Sequence, residues 1–111
     1  MEQSPLQPRL GLSVPYEWWP SAASLKEIEA AGFAWVQVPA PPSSVLLHAR
    51  DAARHAGGLG AALGTTGLRR VLHGPGSLQV GNRDGDRAME GLLSYAAEAG
   101  ADLVVYHAAN F

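Results

Sequence analysis

Four short apolar segments alternate along this chain with three longer segments of helical periodicity. The short segments are rich in β-branched and aromatic residues, which is typical of strands, whereas apolar residues recur every three or four positions in the longer ones. Because a helix between two strands carries the chain back to the start of the sheet, the alternation predicts parallel strands in an α/β domain of order βαβαβαβ. The predicted strands are 10–14, 33–38, 68–73 and 103–107.

Each helical segment begins near residues that commonly cap helices. Serine and aspartate side chains accept hydrogen bonds from the free backbone amides of a first turn. The first segment has the spacing of a capping box and is followed by glycine, which predicts a helix over 24–31. Glycines within 57–64 weaken the second helix by roughly 1 kcal/mol each, so we expect it to fray or end there. The predicted caps are Ser24 with Glu27, then Ser43 or Ser44, and then Asp84 or Asp86.

The composition of the chain limits the class of protein. Its 111 residues are 47% apolar and 16% charged, which is typical of one globular domain with a buried core. The formal net charge is −2 and the 8 Lys and Arg residues are scattered, so a nucleic-acid partner is disfavoured. Cysteine is absent, which excludes disulfides, thiolate metal ligands and a cysteine nucleophile.

The N-terminal residues and the hydropathy of the chain bear on its location. Residues 1–8 are polar and contain no apolar core of signal-peptide length, so we expect a flexible leader followed by a folded domain over 9–111. No segment approaches the roughly 20 apolar residues of a membrane span. The sequence therefore predicts a cytoplasmic protein with no membrane partner.

Histidines end two of the predicted strands. In parallel α/β folds the loops after the carboxyl ends of the strands form the functional site, and His73 and His107 lie at such ends. A neutral imidazole there can bind a divalent metal or move a proton, or it can simply bond to the backbone of a loop. His48 and His55 are seven positions apart on one helix, and we expect both to face solvent.

Other side chains at the same predicted edge are candidates for contact with a substrate. Tyr16, Trp18 and Trp19 follow the first strand, and the two tryptophan rings would either stack on a sugar or pack beneath the loop as core. Gln37 near the end of the second strand is either directed into the site or exposed. Gln79 lies in the glycine-rich loop after the third strand. We assign Tyr16, Trp18, Gln37 and Gln79 as candidate substrate-binding residues.

Short motifs in a consistent order give the chain a family resemblance. It resembles the N-terminal half of the xylose-isomerase-like TIM-barrel superfamily, the sugar phosphate isomerase and epimerase group that also contains the apurinic-site endonucleases. The motifs are RLGLS at 9–13, AAGF at 30–33, WVQV at 35–38, LHGP at 72–75 and EAGADLVVYH at 98–107.

The resemblance implies a fold and an activity. Residues 9–111 would form the first four strands of a (β/α)8 barrel, with His73 and His107 at a centre for a divalent metal, Zn, Mn or Mg. The implied reaction is metal-assisted proton transfer next to the carbonyl of a sugar or sugar phosphate. In this family the carboxylate ligands and bases come from strands five to eight, so we expect this segment alone to be inactive and assign no catalytic residue. Gln37 also stands where the family often has Glu.

Two other classes of function stay open. One is an apurinic-site endonuclease-like DNA repair protein, which the negative net charge disfavours. The other is a non-enzymatic parallel α/β binding or assembly module, doubly wound instead of barrel-like. A half-barrel also leaves two open sheet edges, which predicts self-association.

Overall fold

A four-stranded parallel sheet forms the centre of the protein, as the alternation of segments predicted. The strands pair in chain order, with no reversal of direction or order among them. The predicted α/β arrangement βαβαβαβ is therefore confirmed. The strands are β1 (Gly11–Ser13), β2 (Trp35–Pro39), β3 (Arg69–His73) and β4 (Leu103–Val105).

The computed structural model describes residues 11–14, 20–76 and 78–107. The predicted leader over 1–8 lies outside this part of the chain, as do the candidate substrate residues Tyr16 and Trp18 and the neighbouring Trp19. The helices are α1 (Ala22–Ala30), α2 (Ser43–Leu46), α3 (Ala49–Leu63) and α4 (Arg83–Ala99).

The capping residues of α1 and α4 lie a few residues before the predicted ones, which were Ser24 for α1 and Asp84 or Asp86 for α4. The capping box of α1 joins Ser21 and Ser24: the Ser24 amide donates to Ser21 Oγ at 3.2 Å, and the Ser21 amide donates to Ser24 Oγ at 3.0 Å. The prediction of Ser24 with Glu27 was wrong because Ser24 lies at the third helical position. In α4 the cap is Asn82, whose Oδ1 accepts from the Gly85 amide at 2.7 Å.

The second predicted helix is divided into α2 and α3. Ser43 and Ser44 fall in the first turn of α2, after Pro42, and do not cap it. Helix α3 ends at Leu63 with Gly64 as its C-cap, which lies within the range 57–64 where the helix was predicted to fray or end, and its glycine-rich part stays helical up to that point. Helical structure persists there because the buried residues of α3 share one face that packs into the core. These residues are Ala52, Ala56, Leu59 and Leu63.

Several strand boundaries differ from the prediction by one or two residues, and two of these differences bear on the histidines. Strand β2 runs through Pro39, which pairs in register with His73. Strand β4 ends at Val105, so His107 lies two residues beyond the strand instead of ending it. Just beyond the end of β3, the Gly74 amide donates a hydrogen bond to the carbonyl oxygen of Val105 at 2.8 Å.

The two faces of the sheet are covered differently. Val36, Val38 and Leu72 are buried in a core that also contains side chains of α1, α3 and α4. The side chains between them point to the opposite face, because successive residues of a strand alternate. Residues of all four strands line a depression of about 420 Å³ on that face, and none of its lining residues belongs to a helix. Within the part of the chain that the structure describes, no helix covers this second face, which is concave and is called the bare face below.

Candidate metal centre

A hydrogen bond to the backbone of the next residue fixes the orientation of the His73 ring. It is the last residue of β3, and its Nδ1 lies 2.8 Å from the carbonyl oxygen of Gly74. A carbonyl oxygen can only accept, so the imidazole Nδ1–H donates this bond. In the neutral ring the lone pair then lies on Nε2. The backbone thus determines which nitrogen of His73 is available to a ligand.

The Nε2 atom of His107 lies beside the Nε2 lone pair of His73. The two Nε2 atoms are 2.8 Å apart, and the ring centroids are 4.8 Å apart with an angle of 41° between the planes. With both rings neutral, His107 Nε2–H donates and His73 Nε2 accepts. The chain places the two rings together because β3 and β4 are neighbours, although 34 positions separate the histidines.

The donor set fits a divalent metal that prefers imidazole. Two nitrogen ligands at about 2.1 Å from a tetrahedral zinc ion stand about 3.3 Å apart, so the pair would need to open only slightly. His107 would also have to move its proton to Nδ1. The hydrogen bond from His73 Nδ1 to a carbonyl is the kind of outer contact that orients metal-bound histidines.

The space beside His73 is apolar and open. A depression of about 330 Å³ there is lined by the end of β2 and by the loop that follows β3. Across 11–14, 20–76 and 78–107, no group of three or more His, Cys, Asp or Glu side chains is arranged to hold a metal ion. Within these residues the two histidines could supply two ligands to a metal ion, and water or other groups would have to supply the rest. The lining residues are Pro39, Ala40, Pro42, His73, Gly74, Pro75 and Gly76.

Gln37 lies one layer below the histidines on the bare face of the sheet. It precedes Pro39, the partner of His73, by two residues, which places it about 7 Å further down the strand. Its side chain is half-buried, and Nε2 donates to Ser13 Oγ at 3.3 Å. Of the two interpretations given by the sequence, the structure shows Gln37 directed into the concave face.

Gln79 lies in a different place from the other candidates. It is exposed and lines a separate pocket of about 220 Å³ between α2 and the start of α4. That pocket shares no residue with the depression beside His73. The structure therefore brings together His73 and His107, places Gln37 beneath them, and leaves Gln79 apart.

The expected solvent-facing role of His55 was wrong. His48 is exposed, but His55 is half-buried, and its Nδ1 lies 2.6 Å from the hydroxyl of Tyr95 in α4. Burial lowers the pKa of His55 below its ordinary value of 6.5. The sequence signal for this contact was the position of Tyr95 among the buried residues of α4, at helical spacing from Leu92 and Ala99.

Comparison with protein-family models, with curated proteins and with solved structures gives no match for this chain. None of the helices in the described part of the chain has the length and apolar character needed to cross a membrane.

Proposed function

We propose that His73 and His107 bind a divalent metal at the mouth of a barrel-type sheet, and that this centre serves isomerisation or epimerisation of a sugar or sugar phosphate. The observation that carries the proposal is the convergence of the two Nε2 atoms, with the tautomer of His73 set by a backbone carbonyl. The sheet supports it, since four parallel strands in chain order are the arrangement of a singly wound barrel.

The chain's own groups would act on a substrate in distinct ways. A bound metal would supply Lewis-acid polarisation of the substrate's oxygens. Gln37 and Ser13, already joined by a hydrogen bond in the layer beneath, offer amide and hydroxyl groups that can bond to sugar hydroxyls. The prolines around His73 make the space on one side of the centre apolar.

Metal binding by the pair is tested by titration calorimetry of the chain with Zn²⁺, Mn²⁺ and Mg²⁺. We expect His73→Ala and His107→Ala each to weaken the binding of the preferred ion by at least about 10-fold to 100-fold. His48→Ala is the matched control, because it removes an exposed histidine from another part of the structure. Equal affinity in all four proteins would exclude the paired histidines as ligands.

The reaction class is tested by proton exchange. Because this segment alone is expected to be inactive, the assay uses a longer, metal-loaded chain that contains it. Incubation with aldose and ketose phosphates in D₂O should place deuterium on the carbon next to the carbonyl, as followed by NMR. We expect no exchange with His73→Ala/His107→Ala. Cleavage of abasic DNA without sugar exchange would favour the endonuclease class, and metal binding with neither activity would favour a non-enzymatic module.

A further inference from the structure

The pocket that contains Gln79 lies at the edge of the sheet where parallel α/β proteins usually bind ligands. It is formed by the connections that follow β2 and β3, beyond the carboxyl ends of these strands, together with α2 and the start of α4. Its volume of about 220 Å³ lies below the roughly 300–1,000 Å³ typical of pockets for drug-sized ligands, so it suits a smaller molecule. We call it the α2–α4 pocket, and its polar lining residues are Ser43, Gln79, Asn82 and Asp84.

The same two connections also line the depression beside His73. On the first connection Pro42 lines that depression and Ser43 lines the α2–α4 pocket, and on the second Gly76 and Leu78 divide in the same way. The two depressions are therefore neighbours, although they share no lining residue. The α2–α4 pocket thus lies next to the histidine centre without being part of it.

One polar group of the α2–α4 pocket has no partner in the protein. Ser43 lies in the first turn of α2, and its Oγ is shielded from solvent and makes no hydrogen bond within the described part of the chain. A buried hydroxyl without a partner costs stability, and a trapped water or a ligand hydroxyl can supply the missing bond. Because Ser43 lines the pocket, a molecule held there is in a position to supply it.

The other polar residues of the pocket offer both donors and acceptors. Asn82 Oδ1 accepts from the Gly85 amide at 2.7 Å, so its Nδ2 group is left to donate. The side-chain amide of Gln79 can donate and accept, whereas the Asp84 carboxylate only accepts. A hydroxyl group also donates and accepts, so a molecule with several hydroxyls matches this set of groups.

The rest of the lining is largely apolar. Leu78 and Ala88 are buried, and Leu47 is half-buried. A sugar or another polyol carries C–H groups beside its hydroxyls, so it can cover apolar side chains with the former and form hydrogen bonds with the latter. The α2–α4 pocket has the mixed lining that such a ligand requires.

The loop that carries the polar groups is held against α4. The Gly81 amide donates to Asp86 Oδ1 at 2.9 Å, and a β-carbon on Gly85 would overlap the carbonyl oxygen of Gln79. These contacts fix the backbone of the loop relative to the first turn of the helix. Binding would therefore order little additional chain, which favours affinity for a small ligand.

The charge of the lining selects against anions. Asp84 is the one charged residue among the described residues that line the α2–α4 pocket, and it lies in the first turn of α4. Its carboxylate already interacts with the partial positive charge at the start of the helix, so a phosphate would meet repulsion there. The pocket thus favours an uncharged ligand over an anionic one.

We propose that the α2–α4 pocket binds a neutral polyol, such as a free sugar, whose hydroxyls bond to Ser43, Gln79, Asn82 and Asp84 and whose C–H groups cover the apolar side chains. The inference does not rest on the proposed metal centre, because neither histidine of that centre lines the pocket. Either site can therefore be disproved while the other stands.

The test is an NMR titration of the ¹⁵N-labelled chain with D-xylose and D-glucose in the presence of a chelator. We expect saturable shifts at the backbone amides of Gln79 and Ala88, with a Kd in the millimolar range that is typical of ligands of about ten non-hydrogen atoms. Inorganic phosphate should give no saturable shifts at these amides. Saturable shifts with phosphate but with neither sugar, shifts confined to the surroundings of His73, or no saturable shifts at all would each overturn the proposal.

Ser43→Ala tests the unpaired hydroxyl against a matched control. It should weaken the binding of both sugars by about 3-fold to 10-fold, because one hydrogen bond to the ligand is lost. It should not lower the free energy of unfolding, since the hydroxyl has no partner in the protein. In the control Ser44→Ala binding should be unchanged, because Ser44 is the exposed neighbour in the same turn of α2 and does not line the pocket. Equal affinity of the parent chain and Ser43→Ala, or an equal loss in the two variants, would contradict the proposal.

Discussion

The two histidine contacts of this protein show how a fixed neighbour sets the state of an imidazole. The Gly74 carbonyl accepts a hydrogen bond from His73 Nδ1–H, which leaves Nε2 as the acceptor that meets His107. In the other contact, the Tyr95 hydroxyl meets Nδ1 of the half-buried His55. Sequence reasoning selected the first histidine pair but missed the second contact, because it depends on the packing of α3 against α4.

The lowered pKa of His55 predicts a specific dependence of stability on pH. Its folded pKa lies below the 6.5 of the unfolded chain, so the unfolded state binds more protons between these values. The free energy of unfolding should therefore fall as the pH drops from about 6.5 through the folded pKa, and this contribution should level off below it.

The measurement is urea unfolding at a series of pH values. His55→Gln should lose part of the decrease below pH 6.5, whereas the control His48→Gln, at an exposed position, should retain it. An unchanged pH profile in His55→Gln would contradict the assignment of the effect to this residue.

At the level of helices, the ends were easier to predict than the interiors. Gly100 ends α4 in the left-handed conformation, with φ of +71°, as its position predicted. Helix α3 continues through its interior glycines to the far end of the range in which it was predicted to stop, because propensity is a small term beside the burial of the apolar face. The true caps lay within three residues of the predicted ones, since neighbouring polar residues have similar capping chemistry.

Two interior glycines should respond to alanine in opposite directions. A β-carbon on Gly57 would meet nothing within 4 Å, so Gly57→Ala should stabilise α3 by about 0.5–1 kcal/mol. A β-carbon on Gly91 would meet the Leu46 carbonyl oxygen, because α2 and α4 touch there. Gly91→Ala should therefore destabilise the fold by about 1–3 kcal/mol. Thermal and urea unfolding measure both, and the same sign of change in the two variants would contradict this account of the packing.

For the whole molecule, the proposed metal centre links stability to metal concentration. An ion that binds the folded chain better than the unfolded chain should raise the apparent Tm as the ion concentration rises. His73→Ala should remove this dependence, whereas the control His48→Ala, at an exposed position, should retain it. Calorimetric scans over a hundredfold range of ion concentration provide the measurement, and a constant Tm for the parent chain would be evidence against metal binding by the folded state.

The sequence by itself determined the alternation of elements, the parallel sheet and the position of His73 at a strand end. These follow from local periodicity and from glycines at helix ends, which act over a few residues. Only the tertiary structure decided that His73 meets His107 across 34 positions, that His55 meets Tyr95 across 40, and that the described helices cover just one face of the sheet. Such contacts depend on how strands and helices pack, and no local pattern in the chain encodes that packing.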